Sequence, residues 1–421
     1  MPAWPRRLDA TGGLVGLLAG GATCVGTAQL AYTEGLSAWW FTLGAGVGLA
    51  LVAVWGRARL AGSKRADKPL PALLLDEFGP ACARLATAVV VLVAIAALTV
   101  QLLAGMAVLG ATTRLDGRWS ILACAALAAA WAIWGRRTGA RFAAVVAALV
   151  AVVVLVAGVV AASGASGWAG LPYGGYRDLV GPDFGVGTGV AALLGVVTAS
   201  AVAQLVTTGR LTARGQTAGK MASRGGAPGA AAPLFAAVLV VLCGAAGVLV
   251  GLSMRTTQPD LMSALALPAF LCERLPVGLG WAMCAALLVC VVTTSAMLAD
   301  RMAELLRPHR PRIGRVAPVL GLLAAGVVLA EVDAGGLMLS WSIGAICLLG
   351  CAGFAVRTAA LVLPGRVGWR WAVAAVVCGA LCTIVGPVVP TPALSPVWAG
   401  AGVSVVIMLV GLLVGRRRST R

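Results

Sequence analysis

Long apolar segments follow one another along nearly the whole 421-residue chain, and only short polar connections separate them. Most match the roughly 20 helical residues needed to cross about 30 Å of hydrocarbon. Hydrophobic residues make up 60% of the chain and charged residues only 11%, so a water-soluble fold would leave much apolar surface exposed. The sequence therefore predicts an all-α polytopic membrane protein with about 12 transmembrane helices.

We designate the predicted helices A to L and interpret residues 1–421 as a single membrane domain. The stretches 56–80, 163–183 and 209–230 are its longest polar connectors. The predicted helices are 12–33 (A), 37–55 (B), 81–110 (C), 119–135 (D), 140–162 (E), 184–208 (F), 231–253 (G), 276–300 (H), 314–332 (I), 336–363 (J), 368–388 (K) and 396–415 (L).

The basic residues alternate with the helices. A net charge of +18 could indicate a nucleic-acid partner, but with the N-terminus inside, 27 of the 32 Lys and Arg residues lie on the inner side. The exceptions are Arg114, Arg118, Arg177, Arg255 and Arg274. This is the positive-inside pattern of membrane proteins. It favours a multi-pass protein of the plasma (inner) membrane with cytoplasmic N- and C-termini, whose partner is the lipid bilayer and not nucleic acid.

Arg6 and Arg7 precede the first apolar segment, as in a cleavable export signal. That segment continues past the length of a signal core, and removing helix A would invert the charge asymmetry of every later connection. A retained first helix is therefore the favoured interpretation.

Eleven cysteines lie almost entirely within the predicted spans, where they resemble small buried hydrophobes. The i, i+4 pairs Cys347 with Cys351 and Cys378 with Cys382 could in principle bind a metal. His309 is the only histidine, so plain packing is favoured. The chain also lacks a histidine cluster, an acidic pair within a span and any metal-spaced motif, so we expect neither an enzyme nor a cofactor.

Helix F is a candidate inverted counterpart of helix A, because five spans per repeat would reverse its orientation. Both contain small and polar residues midway, at 19–23 and 195–200. Glycine weakens a helix by about 1 kcal/mol relative to alanine. Gly-interrupted spans in corresponding halves point to a binding site at the membrane midplane, although helix packing alone also explains the glycines.

Several ordered motifs resemble the sodium:solute symporter family, which has the leucine-transporter fold of the APC-type superfamily. In the first half they are GGLVGLLAGGAT (12–23), LAYTEGLSAWWFTLG (30–44), GRARL (56–60), PLPALLLDEFG (69–79) and QLLAG (101–105). In the second half, LPVGLGWAMCAALLVCVVTT (275–294) resembles the family's eighth core helix, which ends in paired hydroxyls.

The resemblance implies a secondary active transporter with two inverted five-helix repeats, 12–162 and 184–363, and two accessory helices at 368–415. It further implies Na⁺ as the coupling ion and symport of a small organic solute. The implied sodium ligands are the carbonyls of Gly16, Ala19 and Cys290 and the side chains of Thr293 and Thr294. The alternative for the two threonines is a hydroxyl bonded to the carbonyl one turn back.

The implied solute contacts come from the interrupted helices A and F and from the facing sides of C and J. A glutamine inside a membrane is costly and is usually functional or joins helices. No charged side chain lies at the predicted midplane. The expected solute is therefore a neutral or zwitterionic molecule, such as an amino acid, or a carboxylate held by helix N-termini. The predicted contacts are Thr23, Gln101, Thr198, Ser200, Gln204, Ser340 and Ser342.

The chain also departs from the family pattern. No helix corresponding to the family's leading helix precedes A. The threonine pair is followed by Ser295, Ala296 and Met297, where the family often continues with Asp and Ser, and Ala203 replaces a usual proline. These differences leave open an alternative function as a transport-inactive membrane sensor or partner subunit.

Overall fold

The computed structural model describes residues 21–58, 70–134, 139–163, 231–306, 313–333, 336, 338–385 and 396–419. The regular structure within these ranges is helical, with 13 α-helices and two short 3₁₀ turns. The helices are α1 (Gly21–Glu34), α2 (Trp39–Ala58), α3 (Leu70–Phe78), α4 (Pro80–Thr113), α5 (Gly117–Trp134), α6 (Gly139–Ser163), α7 (Ala231–Thr257), α8 (Ala266–Arg274), α9 (Val277–Leu306), α10 (Ile313–Val332), α11 (Met338–Val362), α12 (Trp369–Val385) and α13 (Pro396–Ser419).

The all-helical prediction is confirmed, and each predicted span in the described ranges has its helix. Helix F lies outside the described residues, as does the first part of helix A. Among the described residues, four helices are long and apolar enough to cross a membrane, by length and composition, within Pro80–Thr113, Gly117–Trp134, Leu234–Thr257 and Val277–Asp300. Shorter apolar stretches occur in α2, α6 and α10 to α13.

Two short helices were not predicted from the sequence. Helix α3 lies in the stretch interpreted as an inner connector, and α8 follows a 3₁₀ turn, Ser263–Leu265, after α7. Both are nine residues long. At that length tertiary packing, and not intrinsic propensity, determines whether a helix forms. Gly79, at φ 85°, ends α3 in a backbone conformation that favours glycine, and Pro80 then begins α4.

Exposed tryptophans mark both ends of helix α5. Trp119 is 66% exposed near its start and Trp134 is 81% exposed at its end. Trp281 and Trp369 are similarly exposed near the starts of α9 and α12. Tryptophan is enriched at membrane–water interfaces, where the ring contacts apolar chains and its N–H contacts water. The placement fits helices that span a bilayer from one tryptophan level to the other.

Two groups of helices pack closely within themselves, and α6 contacts both of them, through α7 and α9. Helix α7 packs against α1 and α2, and Gly251 of α7 has only a hydrogen where a Cβ would collide with the carbonyl oxygen of Ala28 in α1. The second group contains α4, α5, α9 and α10. Helix α11 packs on α4 and also contacts α12 and α13.

Helices α4 and α9 run antiparallel through the core of the second group. The end of α4 that contains Val108 shares a buried cluster with the start of α9, including Met283. The earlier part of α4, including Val90, shares a second buried cluster with the late part of α9, including Met302. From any contact between the two helices, residues toward the N-terminus of α4 therefore lie at the same depth as residues toward the C-terminus of α9.

Candidate functional site

The start of α1 meets the middle of α9 at Gly21. A Cβ on Gly21 would lie 3.1 Å from the carbonyl oxygen of Leu287 and 3.3 Å from Cγ2 of Val291. Only a residue without a large side chain permits this approach of the two backbones. The small residues at 19–23 in the sequence thus serve, at Gly21, to bring α1 against α9.

Cys290 and Thr294 lie on the face of α9 that meets Gly21. Cys290 directly precedes Val291, and Thr294 lies about one turn after Val291, the residue whose Cγ2 contacts the Gly21 position. Residues four apart share one face of a helix, so Leu287, Val291 and Thr294 follow that same face. Cys290 is 1% exposed and Thr294 is 9% exposed, so both polar side chains are withdrawn from solvent.

Thr293 is directed differently from Thr294. Its hydroxyl lies 2.7 Å from the carbonyl oxygen of Val289 and 3.1 Å from that of Cys290, so its hydrogen bonds back within α9. This is the alternative arrangement for membrane threonines considered above. A hydroxyl that donates its hydrogen still has lone pairs, so donation to Val289 leaves the Thr293 oxygen available as an acceptor.

Val291 also joins α9 to α4. Its Cγ1 lies 3.4 Å from the position of a Cβ on Gly105, while its Cγ2 contacts the Gly21 position in α1. Gln101 precedes Gly105 by one helical turn and therefore lies on the same face of α4. Because α4 and α9 are antiparallel, Gln101 is at the depth of the residues just after Val291, which include Thr294.

Gln101 is the polar side chain that this arrangement leaves unsatisfied. It is 6% exposed, and its Oε1 is buried without a hydrogen-bond partner among the described residues. Leaving a buried acceptor unpaired costs about 1–3 kcal/mol. A ligand that donates a hydrogen bond would recover that free energy.

The structure describes only some of the other predicted site residues. Thr23 is half-buried in α1, and its carbonyl accepts a 2.7 Å hydrogen bond from the Thr27 hydroxyl. Ser340 and Ser342 lie in α11, but their side chains are outside the described part. Gly16, Ala19, Thr198, Ser200 and Gln204 are also outside the described residues.

The helix segments around this junction are uncharged. The ranges 23–33, 94–105 and 287–298 contain no Asp, Glu, Lys or Arg. Polar groups there are hydroxyls, amides, two thiols and backbone carbonyls. A site of this chemistry can bind a monovalent cation through oxygen atoms and a neutral or zwitterionic solute through hydrogen bonds, and it places no fixed countercharge beside either.

A second buried glutamine, Gln29 of α1, was missed by the sequence reasoning. It is 1% exposed, and its Nε2 donates to the carbonyl oxygen of Gly336 at 3.0 Å and to the Ser263 hydroxyl at 3.4 Å. Its Oε1 accepts the backbone N–H of Met338 at 2.8 Å. Gln29 therefore joins α1 to the start of α11 and to the turn before α8. The cost of burying glutamine, applied to Gln101, would have identified it.

No protein-family model matches the chain, and no curated protein matches its sequence. Comparison with solved structures shows that the chain has the fold of membrane transporters. It aligns with a Na⁺-coupled sialic acid symporter, solved in a substrate-bound outward-open state, at TM-score 0.65 and 13% identity over 97% of this chain and 90% of that one.

A second neighbour is the manganese transporter of Eremococcus coleocola. It aligns at TM-score 0.55 and 15% identity, with 98% of this chain and 95% of the transporter covered. At these identities the likeness shows the fold alone. Both neighbours are transporters and not enzymes, and their chains are matched over nearly their whole length.

Proposed function

We propose that the chain is a secondary active transporter that couples Na⁺ entry to the symport of a small organic solute across the plasma membrane. The observation that carries this proposal is the three-helix junction at Val291. There, Gly21 of α1 and Gly105 of α4 contact the same side chain of α9. Gln101, whose buried Oε1 has no hydrogen-bond partner in the described part of the chain, lies one turn from Gly105.

The proposed sodium site lies between α1 and α9. Thr294 provides a hydroxyl one turn after Val291, on the side of α9 that meets Gly21, and Cys290 provides a backbone carbonyl on the same turn. The shorter hydrogen bond of the Thr293 hydroxyl, at 2.7 Å, is to the Val289 carbonyl. When Thr293 makes that bond, the Cys290 carbonyl keeps a lone pair for the ion. The carbonyls of Gly16 and Ala19 would complete the oxygen shell from the α1 side, as in Na⁺ sites built on unwound helices.

The proposed solute contact begins at Gln101. An unpaired amide oxygen accepts hydrogen bonds, so it favours a solute with an N–H or O–H group, such as the ammonium of an amino acid. The uncharged surroundings favour a neutral or zwitterionic molecule, or a carboxylate bound at a helix N-terminus. Thr23, Thr198, Ser200, Gln204, Ser340 and Ser342 are the further proposed contacts.

The two helix groups suggest how binding and transport are coupled. Sodium between α1 and α9 would bridge the group α1, α2 and α7 to the group α4, α5, α9 and α10. The bound ion would thus favour one relative position of the groups, and its release would permit the other. Because Na⁺ is more concentrated outside the plasma membrane, symport down the Na⁺ gradient would drive the solute inward.

The experiment is solute uptake into proteoliposomes containing the purified protein, with Na⁺ outside and either Na⁺ or choline inside. Radiolabelled amino acids and carboxylates form the panel. Accumulation that requires the inward Na⁺ gradient is expected. If none of the panel accumulates while Na⁺ still stabilises the protein against heat, the transport-inactive sensor becomes the better account.

A further inference from the structure

Two cysteines meet between α8 and α9. The Sγ atoms of Cys272, near the end of α8, and Cys284, near the start of α9, are 3.7 Å apart. Cys284 is 1% exposed, whereas Cys272 is only half-buried. One thiol of the pair is therefore accessible and the other is positioned behind it.

The backbones of the two helices are already close at this point. Gly280 of α9 has no side chain, and a Cβ there would lie 3.3 Å from the Cα of Cys272 and would collide with the carbonyl of Leu271. A disulfide bond is about 2.05 Å long. The two sulfurs therefore need to approach by only about 1.7 Å, which side-chain rotation can provide.

We propose that Cys272 and Cys284 are a disulfide-forming pair on the outer face of the membrane. This inference rests on the topology of the proposed function, in which the segment between α7 and α9 faces the oxidising exterior. Disulfides form and persist in such compartments. A second thiol contact, Cys24 with Cys243, differs because both residues are buried in α1 and α7, where an oxidant has no access.

The oxidation requires a disulfide of a small molecule or of an exported oxidoreductase as co-reactant. The more accessible Cys272 thiolate attacks that disulfide, forming a mixed disulfide and releasing one thiol of the oxidant. The Cys284 thiolate then attacks the Cys272 sulfur, which forms the Cys272–Cys284 bond and releases the second thiol. Two protein thiols lose two electrons and two protons, and the oxidant's disulfide gains both pairs.

The bond would connect α9 to a segment that already contacts α1. The carbonyl oxygens of Gln258 and Pro259 belong to that segment, and both lie 2.7 Å from the Tyr32 hydroxyl of α1. Gln29 contacts Ser263, just before α8. Fixing α8 to α9 would thus hold the outer end of α1 against the second helix group.

The test is peptide mass spectrometry of the full-length protein from cells treated with N-ethylmaleimide before lysis and then denatured in excess N-ethylmaleimide, so that the buried thiols are also blocked and no new disulfides form. Trypsin cleaves after Arg255, Arg274 and Arg301, and so separates Cys272 (peptide 256–274) from Cys284 (peptide 275–301). A joined pair of these peptides, two hydrogen atoms lighter than their sum, is expected. Fragment ions should assign the maleimide to Cys290, the other cysteine of peptide 275–301.

Recovery of both peptides separately, with maleimide on Cys272 and Cys284, would overturn the proposal. A membrane-impermeant maleimide on intact cells tests the topology independently in Cys284→Ser, where Cys272 has no partner. Labelling without permeabilisation is expected. Labelling only after permeabilisation would place the pair in the cytoplasm, and would overturn the proposal through the topology while leaving Na⁺-coupled transport to its own assay.

The unfolding temperature distinguishes a formed Cys272–Cys284 disulfide from two thiols that are only close together. A reductant should lower the unfolding temperature of the wild-type protein by several degrees and leave that of Cys272→Ser unchanged, because a cross-link restricts the unfolded chain. An equal response of the two proteins would contradict the assignment.

Discussion

The two buried glutamines, Gln29 and Gln101, differ in one respect that stability can measure. Gln29 has hydrogen-bond partners for both ends of its amide, whereas the Oε1 of Gln101 has none among the described residues. Methionine has nearly the length of glutamine and a similar helix propensity. Gln29→Met and Gln101→Met are therefore matched substitutions whose main difference is the set of hydrogen bonds lost.

A loss of unfolding free energy is expected for Gln29→Met and none for Gln101→Met. Gln29→Met leaves the buried Met338 N–H without its acceptor, at about 1–3 kcal/mol, and the half-buried Gly336 carbonyl without its donor, so a loss of at least about 1–3 kcal/mol is expected. Gln101→Met instead removes a desolvated acceptor and should leave the solute-free protein unchanged, or stabilise it by up to about 3 kcal/mol. It should also weaken solute binding, since stability and function conflict at such sites.

The assay is equilibrium unfolding of both variants and wild type in the same detergent micelles, without solute, followed by tryptophan fluorescence. Uptake is then measured for each variant that folds. Destabilisation by Gln101→Met comparable to that by Gln29→Met would refute the reasoning, because it would show that Gln101 is satisfied within the protein. Normal uptake by Gln101→Met would reject its role in solute binding.

Two further substitutions test the helix junctions. Thr294→Ala should raise the Na⁺ concentration needed for half-maximal thermal stabilisation by about tenfold or more, because bonds from a charged partner to a hydroxyl contribute about 1.5–3 kcal/mol. Thr294→Ser keeps the hydroxyl and should stay near wild type. An unchanged Na⁺ dependence in the alanine variant would reject Thr294 as a ligand. Gly251→Val should destabilise the protein by about 1–3 kcal/mol, because a Cβ there would collide with Ala28. Gly402→Val, with no atom within 4 Å of its Cβ position, is the control, and equal effects of the two would argue against the close α1–α7 contact.

Much of the helical order could be predicted from apolar length alone. The ends predicted for C and D, for example, lie within three residues of α4 (Pro80–Thr113) and α5 (Gly117–Trp134). A bilayer imposes a minimum length, so a long apolar run has few other structures available. The short helices α3 and α8 give no such signal, because nine residues acquire helical structure through contacts that the sequence does not display.

The site could be predicted only in part, because helix rotation depends on neighbouring helices. The sequence places Thr293 and Thr294 side by side in α9. The structure brings Thr294 to the face at Gly21, whereas the Thr293 hydroxyl bonds back within α9. Likewise, the sequence does not distinguish a satisfied glutamine such as Gln29 from an unsatisfied one such as Gln101. Only the positions of Gly336 and Met338, over 300 residues away in the chain, separate them.

Solute uptake by wild-type and Thr294→Ala proteoliposomes under an inward Na⁺ gradient tests the central claim most directly. The account predicts accumulation by the wild-type protein that disappears when choline replaces external Na⁺. In the Thr294→Ala variant, accumulation should need about tenfold or more Na⁺ to reach half its maximum. Accumulation that proceeds equally in choline, or that has the same Na⁺ dependence in both proteins, would contradict sodium coupling at the junction of α1 and α9.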